Sequence, residues 1–352
     1  MPSPSETIQL SIALAYLMAS AVTIVYMGSQ RLLRETIKMK KRSGNQSEVM
    51  KTGDAMMMPL MGSVVLFSVY VILRFVPREY FNSIVSFYLS IFGVFSLGSF
   101  VKTYTRPNVL TGCFCCVAGG LYYITGNWLV NNILATGIAV SAISSIHLGS
   151  FKSSFVLLLG LFFYDIFWVF GSDVMLMVAS GVDGPIKLVF PRDIFGGCKS
   201  MSLLGLGDLI IPGFFIGQTL VFSSQYVKKG SLYFNVALTA YGLSLVNTMA
   251  VMVIFDHGQP ALLFIVPWLL VSFSITAVIQ GDYKAAWEYT SDAVTEPDNS
   301  STDKVKSEEG DQRDAGDEMG LGDFLVKQMK GLFVWDGEEE EEEVCEGTKK
   351  ND

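Results

Sequence analysis

Residues 153–179, SSFVLLLGLFFYDIFWVFGSDVMLMVA, and residues 201–222, MSLLGLGDLIIPGFFIGQTLVF, decide the fold between them. Each is an apolar run long enough to cross a hydrocarbon core of about 30 Å as a helix rising about 1.5 Å per residue. Each also carries one deeply placed acid, Asp165 in the first and Asp208 in the second. An acidic residue at the centre of a membrane helix costs about 2.5–3.5 kcal/mol on insertion-derived scales, so it faces a bundle interior, a partner or water. A matched pair of them invites a chemical reading.

The rest of the chain repeats the apolar pattern. Hydrophobic residues make up 51% of 352 positions and charged residues only 16%, and the apolar residues come in blocks rather than at amphipathic spacing. Further spans are expected at Ile8–Met27, Met56–Val76, Asn82–Val101, Trp128–His147, Leu232–Phe255 and Pro260–Ile279, with a shorter, glycine-rich candidate at Leu110–Thr125. The expected fold class is therefore an all-α polytopic membrane protein of about nine transmembrane helices. The expected division is 1–109 for the first three helices with a basic loop at 28–55, 110–280 for a catalytic core of helices four to nine, and 281–352 for an acidic tail.

Charge orients the bundle. Arg31, Arg34, Lys38, Lys40, Lys41, Arg42 and Lys51 follow the first span, and the positive-inside rule places them in the cytosol. A lumenal N-terminus and a cytosolic C-terminus follow, with 180–200 as the substantial lumenal loop. The formal net charge of −8 belongs to the tail: from Gly281 onward 8 basic residues face 22 acidic ones, so the membrane part is positive. The tail composition reads as disordered, with one stretch, Phe324–Trp335, suited to an interfacial helix or a partner-binding segment. Lys349 and Lys350 stand four and three positions from the end, as in a dilysine endoplasmic-reticulum retrieval motif.

Elimination narrows the chemistry. Cys113, Cys115, Cys116, Cys198 and Cys345 form no paired framework, and His147 and His257 are the only histidines. No HExxH pattern is present, so no metal and no other cofactor is expected, and nothing points to nucleic acid. Two carboxyl groups within a few ångströms of each other in a low-dielectric site share one proton. Such a dyad lets one partner take a proton from water attacking an amide carbonyl while the other hydrogen-bonds the developing oxyanion.

Around Asp208 the backbone has its own logic. Gly205 and Gly207 remove side chains next to the carboxylate, and Pro212 lacks the N–H that would bond the Asp208 carbonyl four residues earlier. Gly213 and Gly217 form a face for close helix packing, and Asn131, Asn132, Asn235 and Asn247 are expected to bond between helices. The Gly-x-Gly-Asp pattern alone is weak, since Gly320–Asp323 repeats it in the tail.

The set is more specific than its parts. Tyr164-Asp165, Leu204-Gly205-Leu206-Gly207-Asp208 and Gln259-Pro260-Ala261-Leu262, with the longer strings LFFYDIFWVFG, GPIKLVFP, LGLGDLIIPG and QPALLFIVP, resemble the aspartyl intramembrane proteases of the signal peptide peptidase type. The resemblance is strongest from Trp128 to Ile279. It implies Asp165 and Asp208 as the catalytic pair, with Tyr164, Gly205, Leu206 and Gly207 as motif neighbours and Gln259, Pro260, Ala261 and Leu262 as substrate-positioning residues. It also implies cleavage within transmembrane segments, remnant signal peptides and type II oriented helices, in the endoplasmic-reticulum membrane. The implied partners are those substrates and the bilayer, with homo-oligomers or membrane-protein complexes left open. A proton-coupled transporter or channel, and a non-catalytic scaffold for membrane proteins, are the competing classes.

Overall fold

A computed structural model describes residues 4–41, 49–50, 52–103, 109–171, 174, 178, 184–192, 201–255 and 261–290. The elements in order are α1 (Pro4–Lys41), β1 (Val49–Met50), α2 (Thr52–Phe75), α3 (Arg78–Lys102), α4 (Val109–Thr125), α5 (Trp128–Ser145), β2 (His147–Leu148) and α6 (Phe151–Gly171). They continue with β3 (Lys187–Pro191), β4 (Met201–Gly205), α7 (Gly207–Val221) running into a π-helical turn (Phe222–Tyr226), α8 (Leu232–Phe255), α9 (Leu262–Ile279) and α10 (Tyr283–Glu288). Among the described residues eight helices are long and apolar enough to cross a membrane, and α4 is a shorter apolar helix of 17 residues. The expected polytopic helical bundle is what the chain forms.

Helix α5 is the axis of the bundle, with α1, α3, α4 and α7 packed around it, while α6 lies against α2, α7 and α9. Small residues set these approaches, as expected where lipid removes the hydrophobic drive between helices. The Ile143 side chain of α5 fills a notch made by two glycines: a Cβ added at Gly28 of α1 would lie 2.9 Å from it, and one at Gly213 of α7 only 2.6 Å. A Cβ at Gly217 would meet Leu32 of α1 at 2.7 Å, and one at Gly137 would meet the backbone of Leu97 in α3 at 2.9 Å. The face expected from Gly213 and Gly217 thus packs on α5 and α1.

Three features depart from the sequence reading. Helix α1 does not stop at the first span but continues to Lys41, so Arg31, Arg34, Lys38, Lys40 and Lys41 lie on a helix rather than in a loop. Arg31 is buried there, its guanidinium donating to Glu35 at 2.8 Å and to Ser99 of α3 at 2.7 Å, which removes the penalty of an unpaired buried charge. Second, the seventh span does not begin at Met201. Residues Met201–Gly205 form a strand, paired antiparallel with Lys187–Pro191 from the expected loop, Lys187 opposite Gly205 and Pro191 opposite Met201. Third, a parallel bridge joins Val49–Met50 to His147–Leu148.

At the opposite end of α7, Phe151, Phe222, Phe273 and Tyr289 make a ring cluster, with Phe151 stacked on Phe273 at 4.4 Å and edge-on to Phe222 at 5.1 Å. Tyr289 is buried in it, so the chain after α10 is pinned to the bundle. Beside it Asp282 accepts from Lys229 Nζ and from Tyr233 Oη, each at 2.7 Å, tying the α7–α8 connection to the end of α9. Of the expected tail, residues 281–290 are described and pack as above, while the remainder, including Lys349, Lys350 and Phe324–Trp335, lies outside the described residues.

Candidate active site

Asp165 lies in the second half of α6, a long apolar helix with no proline, whose one other charge is Lys152 in the first turn. The residue is only 4% exposed. Its Oδ2 accepts the backbone N–H of Leu262 at 3.2 Å. Leu262 is the first residue of α9 with Ala261 as its N-cap, so this N–H is one of the donors that a helix start leaves unpaired. The carboxylate therefore faces the positive end of a helix, where negative charge is favoured. The sequence reading had put residues 260–262 near the aspartates only through the resemblance; the contact itself gives the physical link for Leu262. Gln259 and Pro260 lie outside the described residues.

Asp208 enters from a different kind of element. The β3–β4 ladder ends where the Leu206 N–H donates to the Ile186 carbonyl at 3.0 Å. The Leu206 carbonyl in turn accepts the N–H of Ile210 at 2.8 Å, so one residue closes the ladder and opens α7. Asp208 follows in the first turn of α7, half-buried. It is thus at a helix start, not some two turns inside one. Its carboxyl group is within electrostatic reach of Asp165 and of Tyr241.

The glycines divide by role. At Gly213 and Gly217 close packing excludes a side chain, but a Cβ at Gly207 would meet nothing within 4 Å and one at Gly205 only Asp208 Oδ2 at an ordinary 3.6 Å. Neither Gly205 nor Gly207 has the positive φ that would itself require glycine. Among the described residues, then, no packing partner explains them, and their effect is to leave space beside Asp208. Tyr164 points the other way, toward α2. A Cβ at Gly62 would stand 3.6 Å from its ring, and the neighbouring Trp168 donates through Nε1 to Ser63 Oγ at 3.1 Å.

Tyr241 is a residue the sequence reading missed. The missing N–H of Pro212 leaves the Asp208 carbonyl without its helical donor, and the Tyr241 hydroxyl of α8 supplies one at 3.3 Å. Tyr241 is wholly buried. The signal for an orphan acceptor was in the proline; nothing local named the donor. Asn131 and Asn132 were expected between helices and are found elsewhere. Asn132 Nδ2 donates to the Val189 carbonyl at 2.7 Å and its Oδ1 accepts the Val189 N–H at 2.9 Å, while Asn131 donates to the Lys187 carbonyl at 2.8 Å. Both serve strand β3, because a strand edge against a helix has backbone groups that need partners more than a helix surface does.

Comparison with known proteins points to one family. The sequence profile of the signal peptide peptidase family (Peptidase_A22B) matches residues 95–293, a stretch that contains both aspartates. The Mus musculus protein named signal peptide peptidase is 29% identical over 338 residues, which cover 85% of this chain and 89% of the relative. A probable intramembrane protease of Schizosaccharomyces pombe is 33% identical over 299 residues, covering 83% of this chain and 98% of that one. Intramembrane protease 2 of Caenorhabditis elegans is 43% identical over 202 residues, 53% of this chain and 43% of the worm protein.

Proposed function

Since the chain belongs to the signal peptide peptidase family of intramembrane aspartic endopeptidases, we propose that it hydrolyses peptide bonds inside transmembrane segments through Asp165 and Asp208. The observation that carries this is that two acids from separate elements lie within electrostatic reach of each other, one held by the start of α9 and one delivered by the β4–α7 junction. A water between them loses a proton to the ionised carboxylate as its oxygen attacks the amide carbon, while the protonated partner donates to the carbonyl oxygen as charge develops there. The proton taken up then passes to the departing nitrogen as the C–N bond breaks.

An intact helix shields its peptide bonds, so the substrate must be extended at the cut. Strand β4 offers the place. Among the described residues β3 is its only strand partner, and Met201 and Leu203 are exposed. An extended peptide added along β4 gains main-chain hydrogen bonds and runs on toward the open side of Gly205 and Gly207, beside Asp208. Gln259, Pro260, Ala261 and Leu262 are proposed as substrate-positioning residues, a role supported for Leu262 by its contact with Asp165. The proposed substrates are remnant signal peptides, in keeping with the name of the mouse relative, and type II oriented membrane proteins, and the proposed setting is the endoplasmic-reticulum membrane, with Lys349 and Lys350 as retrieval signal. The three-part division of the chain, with catalysis in 110–280, belongs to the same proposal.

The test is cleavage of a signal-peptide substrate in liposomes by purified protein, with fragment masses, for wild type, Asp165→Asn and Asp208→Asn. Cuts inside the apolar segment that vanish in both variants are expected. Persistence of the cuts in either variant overturns the two-aspartate mechanism.

A further inference from the structure

A two-stranded sheet has two outer edges, and here they are treated differently. The outer edge of β3 is closed by α5: the Asn132 carboxamide makes both the donor and the acceptor contact with Val189, and Asn131 takes the Lys187 carbonyl. Asn131 also donates to Asn132 Oδ1 at 3.3 Å, so the two side chains brace each other. Both asparagines are buried, at 5% and 7% exposure. A primary amide that bonds one residue's N–H and C=O together occupies the position of a neighbouring strand.

The pairing alternation extends the consequence to β4. Val189 stands opposite Leu203. Because the Val189 N–H and C=O turn outward to Asn132, the Val189–Leu203 pair is a non-hydrogen-bonded one, and the N–H and C=O of Leu203 must turn outward on the other side. The edge of β4 is therefore the one left for an added strand, and its register relative to Asp208 is inherited from the asparagines through β3. Phe190, between the ring of Tyr16 at 4.4 Å and that of Trp128 at 5.4 Å, fixes the same hairpin from the side.

We propose that Asn131 and Asn132 are positioning residues for the proteolytic reaction, a side-chain clamp that seals the β3 edge, sets the register of the hairpin and thereby fixes which substrate bond lies at Asp208. This rests on the reading of Asp208 as catalytic and of the substrate as an added strand. A register error along a strand moves in steps of two residues if the same side chains are to keep the same face. Loss of the clamp should therefore spread the cuts rather than merely slow them.

The experiment uses the full chain in liposomes with a defined transmembrane peptide, and compares Asn132→Leu, Asn132→Asp and Asn131→Ala with wild type. Asn132→Leu is expected to lower kcat at least tenfold with KM within about threefold, and to add cuts two residues from the wild-type site. Asn132→Asp, whose protonated carboxyl group has the same donor and acceptor, is expected to keep the wild-type cut, and Asn131→Ala to show a weaker form of the leucine effect. Hydrogen exchange at the Val189 amide should quicken in Asn132→Leu and not in Asn132→Asp. Wild-type cuts and kcat in Asn132→Leu, or unchanged exchange at Val189, overturn the clamp. If Asn132→Leu does not fold, the other two variants decide: scattered cuts in Asn132→Asp, or wild-type behaviour in Asn131→Ala, overturn it. Full activity of Asp208→Asn in the same assay would instead remove the reading on which it rests.

Discussion

Replacing Tyr241 by phenylalanine removes one oxygen and leaves the Asp208 carbonyl, already deprived of a helical donor by Pro212, without a partner in a buried place. An orphaned buried acceptor costs about 1–3 kcal/mol, and the 3.3 Å separation of this bond argues for the low end, about 1 kcal/mol. If that cost falls on the arrangement of α7 that presents Asp208, about 1 kcal/mol corresponds to about a fivefold loss in kcat at 25 °C. The diagnostic is a double-mutant cycle. Pro212→Ala restores an N–H aimed at the same carbonyl, so Tyr241→Phe should cost almost nothing in that background, a coupling of about 1 kcal/mol between two residues on different helices. Cleavage rates in liposomes and melting temperatures in detergent, read on all four proteins, measure it. Equal losses from Tyr241→Phe with and without the proline would refute the reasoning, because the hydroxyl would then be serving something other than the proline's carbonyl.

Other outcomes follow from the same geometry. Gly213→Ala should destabilise by about 1–3 kcal/mol through overpacking against Ile143, which Gly28 on its far side keeps from retreating, and Ile143→Ala should relieve it in the double variant; thermal melts of the three proteins test this. Gly207→Val places its side chain in open space, so the melting temperature should hold while KM for a transmembrane substrate rises; equal loss of both would point to a packing role. For Asp282, burial alone would raise the carboxyl pKa, but hydrogen bonds from Lys229 and Tyr233 and the charge of Lys229 hold it below the usual 3.8. A carboxylate with a lowered folded pKa contributes stability that is complete above the unfolded value and is lost as pH falls through the folded one. Asp282→Asn should therefore melt earlier than wild type at neutral pH, with the gap closing in acid below the usual carboxylate range.

What the sequence made legible was mostly what single-helix physics controls. Uninterrupted apolar runs become spans because no other structure satisfies their backbone in lipid, and Pro212 announced its free carbonyl. What it hid were relationships between elements. Met201–Gly205 reads as the opening of a helix because it is apolar and runs straight into one, yet Met201 and Leu203 are exposed while Ser202 and Leu204 are buried, the period of a strand. Its partner, GPIKLVFP, lay in what composition presents as a loop. The same holds for Asn131 and Asn132, polar side chains whose value depends on a strand 56 or 57 positions away. Tyr241 illustrates the limit most simply: the acceptor is local to Pro212 and the donor is not.

The helices are also unequal in length. Helices α4, α5 and α9 have 17, 18 and 18 residues, about 26–27 Å, against 24, 25 and 24 in α2, α3 and α8. A bilayer of about 30 Å must thin beside the short ones or tilt the long ones to fit. Helix α9, which presents Trp268, Val271 and Ile275 outward, is one of the short ones and begins at the carboxylate of Asp165. A barrier thinned on that flank would shorten the route of bulk water to the proposed carboxyl pair, whose chemistry would consume one water for each bond broken.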